Sequence, residues 1–307
     1  MRGFRTSVVA LIAAVPVPAA AAAQDGPPAP DAPPLFRPAA RAPLPDPPKF
    51  VDVNGSAPVA RDQAKPLFDP ETRAAQEQAE YPWAKRVKAA TTYARARQGR
   101  VAFAVLDLEG RMRGWHVDEQ HRSASVVKAM FMVAYLNRIG RRDLARADRS
   151  LLGPMILRSD NSAATRVRNV IGAGAVYALA KRAKMTRFVL KARWGDTLIT
   201  PADQARLFAR IDLLVPKRHR AYARRLLTSI IEEQRWGVPQ ALPPDWDVFF
   251  KGGWRPLAGR NLVNQSALVQ SGDRRVALAV LTDGNPSHGY GTETIRGIAR
   301  RVLRGLR

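Results

Sequence analysis

The run RSASVVKAMFMVAYL, residues 122–136, constrains the fold more than any other stretch. From Val126 to Leu136 it reads as a helix that is apolar round most of its circumference. Such a helix must be enclosed by other layers rather than laid on a surface. Ser123 and Ser125 are good helix-start residues. One cation interrupts the run, Lys128, and lysine is almost never fully buried unless it is paired. At position i+3 it shares a face with Ser125. Two readings stand at this point: a core helix with a snorkelling lysine, or a nucleophile with its base beside it. S-x-x-K alone is frequent by chance and decides nothing.

The start of the chain, MRGFRTSVVALIAAVPVPAAAAAQDG, has two arginines, an apolar stretch and small residues ending in Ala21-Ala22-Ala23. That is the layout of a secretory signal peptide, so residues 1–23 are predicted to be one. Pro16 and Pro18 and the short apolar length argue against a membrane span. The expectation is a secreted or cell-envelope protein. The chain holds no cysteine, which excludes disulfides, thiolate metal sites, a cysteine nucleophile and lipidation through cysteine. Residues 24–70 are dense in Pro and Ala and are predicted to be an extended, disordered tether. Residues 71–307 remain as the folded domain.

The formal charge is +24. Arg2 and Arg5 fall in the leader and the tether is nearly neutral, so the excess lies in the domain. A surface of this sign attracts polyanions, although an arginine-rich, alanine-rich composition also follows from a GC-rich gene with no functional demand.

Along the domain, residues 71–97 look helical, interrupted near Pro82. VAFAVLDLEGRMRGWHVD reads as a hairpin turning at Glu109-Gly110. Residues 141–231 read as nearly all helical, with breaks at Gly153-Pro154, Ser159-Asp160-Asn161, Gly172–Gly174 and Thr200-Pro201. Three strand-like runs follow, DVFFKGG, NLVNQSALVQ and RVALAVLTDG, and then a helix from about Thr292 to Arg307. Two strands, a helical block, three strands and a closing helix predict an α+β fold. Its antiparallel sheet would have five strands, flanked by helices, with a helical lobe.

The partners that an S-x-x-K nucleophile needs follow in order: Ser159-Asp160-Asn161 between two helices, then Lys251-Gly252-Gly253 on a strand. S-x-x-K, S-D-N and K-T-G in that chain order are the signature of serine β-lactamases and penicillin-binding proteins. With the flanks MILRSDNSAA, LITPADQARLFARI and VALAVLTDG, residues 85–307 resemble the class A β-lactamase-related serine hydrolases. The resemblance implies an antiparallel β-lactamase/transpeptidase-like sheet and roles for each motif. Ser125 would be the nucleophile, and Lys128, its pKa lowered by burial and by Lys251, would take its proton. Ser159 would relay a proton to the leaving nitrogen. Asn161 would orient Lys128 and bind the substrate amide, and Lys251 would anchor a substrate carboxylate. The N–H groups of Ser125 and Trp254 would form the oxyanion hole, and Gly252 and Gly253 would let a substrate backbone lie flat on the strand.

Three departures accompany the resemblance. Gly252 stands where the family has Thr or Ser. The spacing from Ser125 to Ser159 is short, which predicts a trimmed lobe. No glutamate occurs between Glu119 and Glu232, although class A enzymes deacylate with one in that interval. Asp196, in WGDTLITP, resembles the aspartate that closes the family's loop. The expectation is therefore acylation with slow turnover.

Other constellations carry less. His116, His121, His219 and His288 lack metal spacing, and surface or capping roles are expected of them. IGAGAVYA lacks the third glycine of a dinucleotide loop, and there is no G-x-S-x-G elbow. KRHRAYARR reads as a solvated basic face, so no nucleic-acid partner is expected. No cofactor or metal is expected either. The expected partner is a small-molecule or peptide substrate bearing a carboxylate, and the protein should be a monomer. The alternative is a wall-associated binding protein with a vestigial site and a basic surface for anionic cell-wall polymer.

Overall fold

In a computed structural model, residues 81–107 and 110–306 are described. The expectations for residues 1–23, 24–70 and 71–80 lie outside the described residues.

Helix α1 (Trp83–Arg95) begins just after Pro82 and leads into β1 (Arg100–Leu106), which turns back as β2 (Met112–Trp115). A short β3 (His121–Arg122) and a single 3-10 turn (Ala124–Val127) precede α2 (Lys128–Ile139). The helical lobe comprises α3 (Arg146–Leu157) and α4 (Asn161–Arg182). After β4 (Leu198–Ile199) come α5 (Pro201–Ala209), α6 (Ile211–Leu214) and α7 (Arg220–Thr228). Three long strands, β5 (Asp247–Leu257), β6 (Arg260–Ser271) and β7 (Arg274–Asn285), lead to the closing α8 (His288–Leu303).

The strand order is β2-β1-β7-β6-β5 and every pairing is antiparallel. The fold is thus the five-stranded, helix-flanked α+β architecture expected. Val276 to Leu281 of β7 are buried without interruption, because helices cover both faces of the central strands. Tyr93 of α1 lies against Gly297 of α8, at a crossing so close that a Cβ there would come within 2.4 Å of the tyrosine ring. Helix α2 is as enclosed as its sequence demands, and Met130, Phe131, Met132, Val133 and Leu136 are all fully buried.

Several local readings need correction. Gly153-Pro154 does not end a helix but lies inside α3. The Leu152, Met155 and Ile156 side chains are buried, and Ser150, whose carbonyl Pro154 cannot serve, is exposed and open to water. Residues 183–199 are not α-helical and hold only a 3-10 turn at Trp194–Asp196. They fold back as a loop whose β4 pairs with β3, His121 opposite Ile199 and Arg122 opposite Leu198. Gly172 does break helical geometry, as a kink at φ 72° within α4 that only glycine adopts freely. His121 is buried rather than at the surface, whereas His219, also buried, has a capping position before α7. His219 Nε2 pairs with Gly140 O at 3.0 Å, at the end of α2.

Candidate active site

The small β3–β4 sheet ties the turn carrying Ser125 to the loop carrying Trp194 and Asp196. Ser123 N donates to Thr197 O at 2.8 Å. Between them the chain makes a tight entry: Ala124 takes φ 44°, a left-handed conformation that strains a non-glycine residue. Ser125 lies on the 3-10 turn and α2 proper starts at Lys128, whose backbone N–H bonds Ser125 O. In 3-10 geometry residues i and i+3 eclipse, so Lys128 stands over Ser125.

Lys128 is fully buried. Its Nζ donates to Ser159 O at 2.5 Å, to Ser159 Oγ at 3.2 Å and to Asn161 Oδ1 at 2.8 Å. These bonds use all of its donors, and none goes to Ser125 Oγ. Burial pulls its pKa down to about 7, opposed by the charge of Asp160. Asp160 caps α4, accepting from Ala163 N at 2.6 Å, and that cap sets Ser159 and Asn161 on either side of it. Ser159 is itself held at φ 59°.

Lys251 sits within β5, fully buried, with Nζ donating to Gly252 O at 2.9 Å. Burial first, and the Lys128 charge second, lower its pKa to about 7 as well. Repulsion between two ammonium groups acts on both of them, and burial is the larger cause at each lysine. Gly253 has a steric reason to be glycine: a Cβ there would come within 2.7 Å of Ser125 N and Val126 N. Strand β5 thus lies directly against the nucleophile turn. At Gly252 a Cβ would meet the Trp236 ring at 2.9 Å. That indole packs edge-on against Trp254 and His288, with centroids 5.9 and 5.5 Å away.

A cleft of about 420 Å³ opens over these residues. Ser125, Ser159 and Asn161 lie on its wall, as does Trp254 of the K-G-G-W run. Lys128 and Lys251 lie behind the wall rather than on it. The cleft is also lined by residues missed in the sequence: Trp194, whose ring centroid is 5.0 Å from Lys128 Nζ, and the arginines Arg158, Arg193 and Arg255. Among the described residues no carboxylate lines the cleft. Asp196 is engaged elsewhere. Burial would raise its pKa, but the hydrogen bond and charge of Arg255, with Arg193 and Arg122, hold it below the usual carboxylate range. Among the described residues no cluster of His, Asp and Glu is arranged to hold a metal, and no helix is long and apolar enough to cross a membrane.

The Beta-lactamase enzyme family matches residues 149–306, more than half of the chain. The protein belongs to that family. The matched segment holds the S-D-N and K-G-G motifs and starts after Ser125 and Lys128. Among solved structures, a β-lactamase from Sphaerobacter thermophilus is similar at 20% identity, with a TM-score of 0.61 over 73% of this chain and 98% of that one. A class A representative from Bacteroides cellulosilyticus has a TM-score of 0.65 at 16% identity, covering 73% of this chain and 98% of its own. A class A β-lactamase from Mycobacterium abscessus gives 0.61 at 21% identity, over 72% and 99%. These likenesses establish the β-lactamase fold. Comparison with curated proteins gives no match.

Proposed function

We propose that this β-lactamase-like serine hydrolase is exported and works through an acyl-enzyme on Ser125. Its substrate would be a β-lactam, or a peptide-like amide or ester, bearing a carboxylate. The observation that carries the proposal is the fully buried Lys128, three residues from Ser125, with a pKa of about 7. A neutral amine at that position can accept a proton near neutral pH.

Ser125 Oγ attacks the carbonyl carbon and its proton passes to Lys128 Nζ. The oxyanion is met by the N–H groups of Ser125 and Trp254. Collapse breaks the C–N or C–O bond, and the leaving atom takes a proton from Lys128 by way of Ser159 Oγ, 3.2 Å from Nζ. Asn161 Oδ1 fixes the amine during these transfers. Water then cleaves the ester, releasing the acid and freeing Ser125.

Intact-mass spectrometry with benzylpenicillin and a fluorophosphonate tests this reading. One adduct per chain is expected, mapping to Ser125 and lost in Ser125→Ala. The second reading, a binding protein with a vestigial site, draws on the cleft wall, which among the described residues carries no carboxylate. Failure of both probes to label the chain would favour it.

A further inference from the structure

The cations that reach this cleft are not the lysines of the motifs. Lys251, expected to anchor a carboxylate, is fully buried and bonded to Gly252 O, and Trp236 covers Gly252. The cleft wall instead carries Arg158, Arg193 and Arg255, which come from three separate segments. Among the described residues, the carboxylate that pairs with two of them is that of Asp196. Asp196 accepts from Arg255, lies 3.7 Å from Arg193 and lies 3.9 Å from Arg122. One carboxylate shared among three guanidiniums leaves the group strongly positive.

Two details show unspent binding capacity. Arg255 Nε is buried with no hydrogen-bond partner, although its Nη2 is held by Asp196. Arg158 is exposed at the cleft, and its guanidinium makes no ion pair among the described residues. The Arg193 side chain is 76% exposed. Guanidinium presents a planar fork that matches carboxylate in two parallel bonds, which an ammonium does not. A substrate with one carboxylate would leave most of this charge unmatched.

We propose that the cleft selects dianionic substrates, in which a second carboxylate, away from the reacting carbonyl, is held by Arg158, Arg193 and Arg255. The proposal rests on the acyl-enzyme reading above and specifies its substrate class. Benzylpenicillin and its α-carboxy derivative differ by one carboxylate on the acyl side chain, so they isolate the effect.

The experiment measures second-order rate constants for acylation of Ser125 by the two penicillins. It is run on the wild-type chain, on Arg158→Gln/Arg193→Gln, and on Arg300→Gln, an exposed site on α8. The wild type should favour the α-carboxy compound by ~3–10-fold at low salt. That ratio should shrink towards one at about 0.5 M salt, where the screening length falls to a few Å. It should collapse in the double variant and persist in Arg300→Gln. Equal rates in the wild type, or a preference that survives in the double variant, would overturn this proposal alone. Labelling by neither penicillin would overturn the acyl-enzyme reading and this one together.

Discussion

Trp236 occupies the space that any side chain at residue 252 would need, its Cη2 and Cζ2 atoms standing 2.9 Å from where a Gly252 Cβ would be. The glycine in place of the family's hydroxyl residue is therefore a packing consequence, since Trp236 is itself buried against Trp254 and His288. Gly252→Thr should destabilise the fold by about 1–3 kcal/mol through overpacking. In a Trp236→Leu background the same substitution should cost clearly less, because the two sites share one volume. Denaturant unfolding of the four proteins of that cycle gives the coupling directly. Additive losses would mean that the ring yields without strain.

The buried lysines set a pH window for stability. Lys128 and Lys251 have folded pKa values of about 7 against 10.5 when free. Between about pH 7 and 10 the unfolded chain binds more protons, so unfolding free energy rises with pH across that window. Below 7 both states hold the protons, and the full cost of burying two ammonium groups remains. Above 10 the trend reverses, because Tyr81 and Tyr135 are pushed up to about 12 by burial and keep their protons longer when folded. Calorimetric melting from pH 6 to 9.5 should show a rising Tm, and Lys128→Met should flatten the slope. A flat wild-type profile would mean that neither lysine titrates near 7.

Acylation should follow the same amine. Its rate should climb through about pH 7 and level off above it, as Lys128 becomes neutral. Lys128→Ala should lower acylation by about 10²–10⁴-fold. Paired with Ser125→Ala it should add almost nothing, since nucleophile and base act as a unit. Pre-steady-state labelling at a series of pH values checks both statements. A rate unchanged in Lys128→Ala would remove that residue from the chemistry.

What was legible beforehand, and what was not, divides along physical lines. S-x-x-K, S-D-N and K-G-G announce themselves because the chemistry needs those residue types in a fixed order, and Ser125, Ser159 and Asn161 do line one cleft. The long strands were visible through their Val, Leu and Ala content, although β5 continues through Trp254 to Leu257. Gly153-Pro154 misled because the buried neighbours Leu152, Met155 and Ile156 outweigh a local breaker. Residues 183–199 misled because pairing with β3 is a contact across some seventy-odd positions, which no local pattern encodes. Arg158, Arg193 and Arg255 carried no signal. In a chain with 50 lysines and arginines, only the fold distinguishes three that share a cleft.

The acyl-enzyme should be long-lived. Hydrolysing it requires a water activated on the open face of the ester, and general-base help of that kind contributes about 10²–10⁴-fold. Among the described residues no carboxylate lines this cleft to give it. The Trp194 indole also lies near Lys128, its ring centroid 5.0 Å from Nζ. Asp196 is bound to Arg255 and held below the usual carboxylate range, which makes it a weak base. Lys128 would then have to serve both steps, from an amine already engaged by Ser159 and Asn161. Penicillin should therefore acylate Ser125 and persist there for minutes to hours. A time course of intact-mass spectra after removal of free drug reads the lifetime. Rapid multiple turnover with no detectable adduct would sink the idea, and would require the deacylating water to be activated by Lys128 itself.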